Sequence, residues 1–444
     1  MKTQRSGRLA ALIAPIAPIA LALLLGAASL PGAVPAGAQS RAPTIINGSL
    51  TSTISLMDER QYPDGGASFL QGWSNLANLR LKAGGENLSF FLSANITAVS
   101  GFYTQAAPAP VTVGLERLYF KAGAEAVDME AGLLRIARGY GYVFSPLDLF
   151  NPRDATNSVD PQARPVGKWG IHASFFPGDL WKIEAFGLAP DNPLEKGIWG
   201  SRFGGATTFA LGAVNVDLLA SLFLPEIALD KDPASVSLPP YTSNDFSVVT
   251  GFAVKADVEV GLFVEAVYRF DRKVFRQGTY DGRTFRGFEE LEAAAGVDYT
   301  VGDIYLLAEY SFYGPGHAAW GESLDVLYLS PAWKSCSPLD RSALLDPSKK
   351  PFSFARHDYL FLLSRYSAAQ DLSLGISCLA GLDDLSALLT AFAEYEVMQG
   401  LTLQASVLLP VDRRLLDSSA EPGEWGSTAL GFHQLWGLAA KVRF

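Results

Sequence analysis

The sequence predicts an all-β fold: a closed, transmembrane, antiparallel up-and-down β-barrel of about 18 strands, with about 16 as the alternative, and long extracellular loops. Three observations support this prediction. The chain starts like an exported protein and has no later helical span, many segments alternate with a period of two, and the connections alternate between short and long. Closure fits an apolar sheet in lipid because it removes sheet edges and unsatisfied backbone groups.

The amino terminus has the features of a secretory signal peptide. The basic start "MKTQRSGR" precedes a long apolar run, and Ala36-Gly37-Ala38 fits the small-x-small cleavage rule. We therefore predict a signal peptide at residues 1–38 and one barrel domain at residues 39–444. An uncleaved anchor is the alternative, although two prolines interrupt the apolar run. No later window approaches about 18 uncharged apolar residues, so no transmembrane helix is expected.

Charge and cysteine content exclude several classes of protein. Removing the predicted signal peptide takes away three basic residues and no acidic one, which moves the net charge from −10 to −13. An acidic chain of this kind is not expected to bind nucleic acid. Cys336 and Cys378 build neither a disulfide scaffold nor a metal site, and whether they bond to each other stays open. We predict no cofactor and no metal.

The strand pattern repeats along the mature chain. In "GLFVEAVYRF", Leu262 and Val264 lie on one face and Glu265 and Arg269 on the other, and about ten residues suffice for a tilted membrane strand. "FARHDYLFLLSRYS" and the segment near 199–211 alternate poorly. The predicted strands are, roughly, 44–57, 69–81, 88–99, 112–122, 127–137, 168–177, 180–188, 199–211, 214–224, 244–256, 259–271, 285–300, 302–313, 355–367, 371–381, 386–398, 401–410 and 432–444.

The connections between these strands alternate in length. Short ones such as "PGD", "VGD" and "MQG" carry turn residues, whereas others reach the length of "PEIALDKDPASVSLPPYTSND". "LDDLS" near 381–386 is short where a long loop is expected. Sorting of this kind is typical of outer-membrane barrels, with turns at the periplasmic end and loops outside. The even strand count then places both termini in the periplasm.

The last strand, "HQLWGLAAKVRF", carries alternating apolar residues and ends in an aromatic residue. Trp436, Leu438, Val442 and Phe444 form its apolar face, which we expect to meet lipid. The pattern resembles the terminal signal of bacterial outer-membrane proteins that the barrel-assembly machinery reads. The resemblance implies an outer-membrane location, with membrane lipid and that machinery as partners.

The connection "RGYGYVFSPLDLFNPRDATNSVDPQARPVGK" is rich in apolar residues, unlike a merely solvated loop. Its segment "GYVFSPLDLFNPRD" resembles a stretch of large porin-like families of didermic bacteria, which implies a channel but fixes no substrate. We predict that residues 138–167 fold into the barrel and narrow it, the alternative being a lid over the rim. The candidate constriction charges are Arg138, Asp148, Arg153, Asp154, Asp160, Arg164 and Lys168.

The predicted function is therefore a channel for diffusion of small polar solutes, without enzymatic activity. A structural or adhesin barrel is the alternative, and a homo-oligomer stays open. An outer-membrane hydrolase is a further alternative, because His172 and Ser174 resemble the His-x-Ser pair of outer-membrane phospholipases. We expect both to point into the barrel with Lys168, because Trp169 and Ile171 make the better lipid face.

Overall fold

A computed structural model describes most of the predicted barrel. The described residues are 44–58, 69–85, 87–101, 111–151, 166–190, 200–224, 247–270, 273–276, 279–284, 291–314, 357–413 and 433–444. The predicted signal peptide lies outside them and stays a prediction. Within these ranges, no helix is long and apolar enough to cross a membrane.

Twenty strands are present in the described residues, and eighteen of them form one sheet. β12 and β13 form a separate two-stranded hairpin. The strands are β1 (Ile45–Asp58), β2 (Phe69–Gly84), β3 (Leu88–Gly101), β4 (Val111–Ala124), β5 (Val127–Leu134), β6 (Lys168–Gly178), β7 (Trp181–Leu188), β8 (Arg202–Leu211), β9 (Val214–Phe223), β10 (Ser247–Asp257), β11 (Gly261–Phe270), β12 (Lys273–Arg276), β13 (Thr279–Thr284), β14 (Leu291–Val301), β15 (Ile304–Tyr313), β16 (Asp358–Ser367), β17 (Leu372–Gly381), β18 (Ser386–Met398), β19 (Leu401–Val411) and β20 (Gln434–Arg443).

The eighteen-stranded sheet closes on itself. Each strand pairs antiparallel with its neighbours along the chain, and β1 pairs with both β2 and β20. The closing register runs from Ser49 opposite Arg443 to Asp58 opposite Gln434. The predicted closed up-and-down barrel is therefore confirmed with eighteen strands, and the alternative of sixteen is excluded.

Connections are sorted by length between the two ends of the barrel. Turns of two to four residues join β2 to β3, β4 to β5, β6 to β7, β8 to β9, β10 to β11, β14 to β15, β16 to β17 and β18 to β19. Gly302 and Gly400 occupy such turns with φ of 57° and 86°, values that glycine adopts without a steric penalty. The predicted exception is also present, because only four residues separate β17 from β18 at the opposite end.

The two faces of the wall have different chemistry. On β11, Leu262 and Val264 are exposed on the outer face, whereas Glu265 and Val267 are buried on the inner face. β20 follows the same rule, with its apolar residues outside and Lys441 and Arg443 on the inner face. An outer surface of this kind suits the hydrocarbon region of a bilayer. The outward residues of β20 are Trp436, Leu438 and Val442, and Phe444 continues the series.

The carboxyl terminus takes part in closing the barrel. Gly48 N donates to the Phe444 carbonyl oxygen at 2.8 Å, and Phe444 N donates to the Gly48 oxygen at 3.1 Å. The Phe444 ring covers Gly48, where a Cβ atom would lie 2.8 Å from the ring. Glycine at this position therefore makes room for the terminal aromatic ring. The role of the terminal residues as an assembly signal stays a prediction.

The observed strand bounds differ from the predicted ones mainly at one place. Most ends agree within three residues, but the strand predicted at 285–300 begins at Leu291. The β12–β13 hairpin lies in a segment that the sequence assigned to a connection. Strands of four and six residues are too short for a period-two pattern to be recognised.

Candidate pore constriction

The connection between β5 and β6 packs against the inner face of the barrel. We call its first part, residues 135–151, the inner loop. Phe144 is fully buried, and its ring centroid lies 5.9 Å from that of Tyr359 on β16. Val143 and Phe144 share a buried cluster with inner-face residues of β11 and β14–β19, namely Phe263, Ala294, Leu307, Tyr313, Tyr359, Phe361, Leu363, Leu379, Leu388 and Leu408.

A second apolar cluster holds the other half of the inner loop. Leu147 and Phe150 are almost completely buried, and the Phe150 and Phe186 rings meet edge to face at 4.8 Å. Burying the four apolar loop side chains of this cluster at about 2 kcal/mol each contributes about 8 kcal/mol to docking of the loop. The cluster contains Ile136, Leu147, Leu149 and Phe150 of the loop and Phe186, Leu188, Ala206, Leu219, Val249, Ala253 and Val267 of β7–β11.

Glu265, on the inner face of β11, binds the inner loop through its carboxylate. It accepts hydrogen bonds from Tyr140 N at 3.2 Å, Gly141 N at 2.8 Å and Leu147 N at 3.3 Å. The Ser145 hydroxyl donates a further bond at 3.1 Å. Backbone N–H groups of a buried, non-helical segment need acceptors, and this side chain supplies them.

Glu309, on the inner face of β15, also accepts hydrogen bonds from backbone N–H groups of the inner loop. It accepts from Tyr142 N at 2.9 Å, Val143 N at 3.2 Å and Phe144 N at 2.6 Å. Both glutamates are at most 1% exposed. A carboxylate is an acceptor with about four lone-pair sites, so two of them can serve six backbone donors. We call Glu265 and Glu309 the loop-anchoring glutamates.

Two glycines allow the loop backbone to approach these carboxylates. A Cβ at Gly139, whose φ is 81°, would lie 2.3 Å from a carboxylate oxygen of Glu265. A Cβ at Gly141 would lie 1.7 Å from the Phe144 carbonyl oxygen. Any side chain at either position would therefore push the backbone away from its acceptors.

Asn151 joins the two ends of the β5–β6 connection through hydrogen bonds of its side chain. Its Oδ1 accepts from Ile136 N at 3.0 Å, and its Nδ2 donates to the Val166 oxygen at 3.2 Å. Arg202 on β8 adds a bond from its guanidinium to the Leu149 oxygen at 3.0 Å. One side chain thus joins the outgoing and returning ends of the connection, which explains the asparagine within "NPRD".

A cavity of about 420 Å³ lies between the first residues of the inner loop and strands β4–β9. Charged groups of both signs line it and form close pairs. Glu184 lies 2.9 Å from Arg138, 2.8 Å from His172 Nε2 and 2.8 Å from Lys182. The Tyr140 hydroxyl donates to Asp217, which fixes the loop against β9. The charged lining consists of Lys121, Asp128, Glu130, Arg135, Arg138, His172, Lys182, Glu184 and Asp217.

The predicted constriction residues fall into three groups. Arg138 lines the cavity, and its role at a constriction stays a prediction. Asp148 is 2% exposed and lies within the packed part of the inner loop, not among the cavity residues. Lys168 begins β6 opposite Leu134, on the inner face. The remaining candidates, Arg153, Asp154, Asp160 and Arg164, lie outside the described residues.

The histidine considered for catalysis has a different environment from that of a Ser–His pair. His172 and Ser174 both line the cavity, so their predicted inward orientation is confirmed. The two ring nitrogens of His172 lie 2.8 Å from Glu184 and 3.4 Å from Glu130. Within the described residues, the imidazole is therefore engaged by two carboxylates.

Sequence reasoning placed Glu265 on the strand face opposite Leu262 and Val264 but gave neither loop-anchoring glutamate a role. The available signal was an acidic residue in the middle of an inner face, at Glu265 and again at Glu309. Their common partner lies more than a hundred residues away in sequence, so the pairing follows only from the fold.

Comparisons with solved structures agree with this architecture. Acinetobacter baumannii OccAB4 aligns with a TM-score of 0.50 at 9% identity, covering 90% of this chain and 98% of that chain. Pseudomonas aeruginosa OpdL aligns with a TM-score of 0.51 at 12% sequence identity. The BenF-like porin from Pseudomonas fluorescens aligns with a TM-score of 0.51 at 9% identity. Both alignments cover 90% of this chain and 98% of the other chain. No protein-family model and no curated protein matches the chain. At these identities the likeness shows the fold, which is that of bacterial outer-membrane porin barrels.

Proposed function

We propose that the protein is a bacterial outer-membrane, porin-like channel for passive or facilitated diffusion of small polar solutes. The observation that carries the proposal is a loop held inside a closed eighteen-strand barrel beside a cavity with a charged lining. A barrel of this size encloses an aqueous channel unless something fills it. The inner loop fills part of the lumen and leaves the charged cavity as the path.

Selection in this proposal depends on the fixed charges around the inner loop. Arg138 on the loop and Glu184 on β7 belong to a paired set of cations and anions that faces the cavity. Rings of fixed charge at a narrow point order water and favour small polar or charged solutes over apolar ones. We include the other predicted charges apart from the buried Asp148, namely Arg153, Asp154, Asp160, Arg164 and Lys168, as candidates for the same role.

The same proposal fixes the cellular context. The barrel lies in the outer membrane with both termini in the periplasm, and the assembly machinery reads the strand that ends in Phe444. The outward apolar residues of β20 support this, because they would be exposed to water in any other location. The protein then has no enzymatic activity, and its partners are lipid and the permeating solutes.

Planar-bilayer recording of the purified, heat-modifiable protein tests the proposal. We expect stepwise conductance increments, and in proteoliposomes we expect swelling rates that fall as uncharged solutes of increasing size are added. A barrel that inserts but neither conducts nor admits solutes would contradict the channel function. That result would favour the structural or adhesin alternative.

A further inference from the structure

One part of the outer wall departs from its apolar pattern. Asn75 lies in the middle of β2 on the outer face, opposite Ser52 of β1 and Ala98 of β3. Among the barrel strands that the structure describes, it is the one amide on the outer face more than three residues from a strand end. Gln71, four residues earlier and on the same face, adds a second amide towards the extracellular end.

The surroundings of Asn75 are those of a lipid-facing wall. Ile54, Trp73 and Leu50 flank it on β1 and β2, and all are close to half exposed. The Ser52 hydroxyl accepts a bond from Trp73 Nε1 at 3.0 Å, whereas the Asn75 amide makes no hydrogen bond within the described part of the chain. An amide without partners in hydrocarbon carries a large desolvation cost.

The residues beside Asn75 would also permit close contact with another surface. Ala77, Ala94 and Ala98 lie on the same outer face of β2 and β3. Ala98 lies directly opposite Asn75, and Ala77 lies opposite Ile96. Small residues at a membrane interface let two backbones approach closely enough for polar side chains to meet.

We propose that the outer face of β1–β3 around Asn75 is the surface through which two copies of this chain associate. An amide is both donor and acceptor, so the same surface on a second copy satisfies it across a twofold axis. Lipid acyl chains offer no such partner. The inner loop packs on β7–β11 and β14–β19, so this contact would leave the constriction unchanged.

Cross-linking in the membrane tests this surface. In the full-length, exported chain, Cys336→Ser and Cys378→Ser remove the native thiols, and Ala98→Cys introduces one directly opposite Asn75, so that the amide stays in place. A short bis-maleimide should then give a species of twice the monomer mass. The matched control is Ala266→Cys on the outer face of β11, on the far side of the barrel, which should stay monomeric.

The outcomes separate the proposal from its competitors. An Ala98→Cys variant that reacts with a monofunctional maleimide but does not cross-link would overturn the proposal. Equal cross-linking of the control through random collision would overturn it as well. The mass of the unmodified protein in detergent, measured by light scattering, should be that of a dimer and should fall to a monomer in Asn75→Leu. A monomeric unmodified protein, or an unchanged dimer in the leucine variant, would also overturn it. Conductance per barrel should be the same in all variants, so failure of the dimer and failure of the channel are distinguishable.

Discussion

The loop-anchoring glutamates provide the sharpest test of how the pore is narrowed. Glu265 and Glu309 together accept six backbone N–H groups of the inner loop. The double variant Glu265→Gln/Glu309→Gln keeps the size of both side chains but replaces one acceptor oxygen of each with a donor. At least one loop N–H would then face another donor at each site.

The magnitude follows from the cost of leaving these donors unsatisfied. A buried donor without a partner costs about 1–3 kcal/mol, so the double variant should weaken loop docking by about 2–6 kcal/mol. The equilibrium between docked and undocked loop would shift by at least about thirtyfold. The apolar contribution of about 8 kcal/mol from Leu147, Phe150 and the other loop residues of the second cluster persists, so the loop should still spend most of its time docked.

The assay is therefore single-channel recording with analysis of current fluctuations. We expect frequent transitions to a larger conductance level in the double variant, and a higher size limit for solute uptake into proteoliposomes. Glu292→Gln is the matched control, because Glu292 is also buried on the inner face but pairs with Arg269 instead of the loop. A double variant with the conductance, noise and size limit of the unmodified protein would refute the anchoring role.

Three further changes test other parts of the molecule. Arg138→Ala should shift the reversal potential in a salt gradient towards cation selectivity, because it removes a cation from the cavity; an unchanged potential would exclude it from the selective region. Gly141→Val should displace the inner loop and lower the yield of heat-modifiable barrel or widen its pore, and a normal channel would contradict the close backbone contact. Deletion of Phe444, or Phe444→Asp, should reduce the folded protein in outer-membrane fractions, whereas normal levels would argue against an assembly signal.

The barrel itself could be predicted from the sequence because it depends on local patterns. Alternation along β11 and β15 and the sorting of connections by length are both readable without knowing which strands pair. The details of the constriction could not be predicted in the same way. Asp148 was a candidate lining charge because it lies on the loop that was predicted to narrow the barrel, yet it is buried. The burial of Asp148 depends on packing between residues that are far apart in the sequence, and the local spacing of residues does not reveal it.

One of the two segments that alternated poorly, the one that forms β16, is explained by the same packing. In β16, Leu360 and Leu362 lie on the outer face, while Phe361 and Leu363 lie on the inner face and belong to the cluster around Phe144. A strand with lipid on one side and a docked loop on the other is apolar on both faces, so its period-two signal disappears. The inner wall of a wide channel is expected to be polar where it meets water. Loss of apolar–polar alternation in a barrel strand therefore indicates which part of the wall the inner loop packs against. The sequence of the barrel wall, as well as that of the loop, thus encodes the position of the constriction.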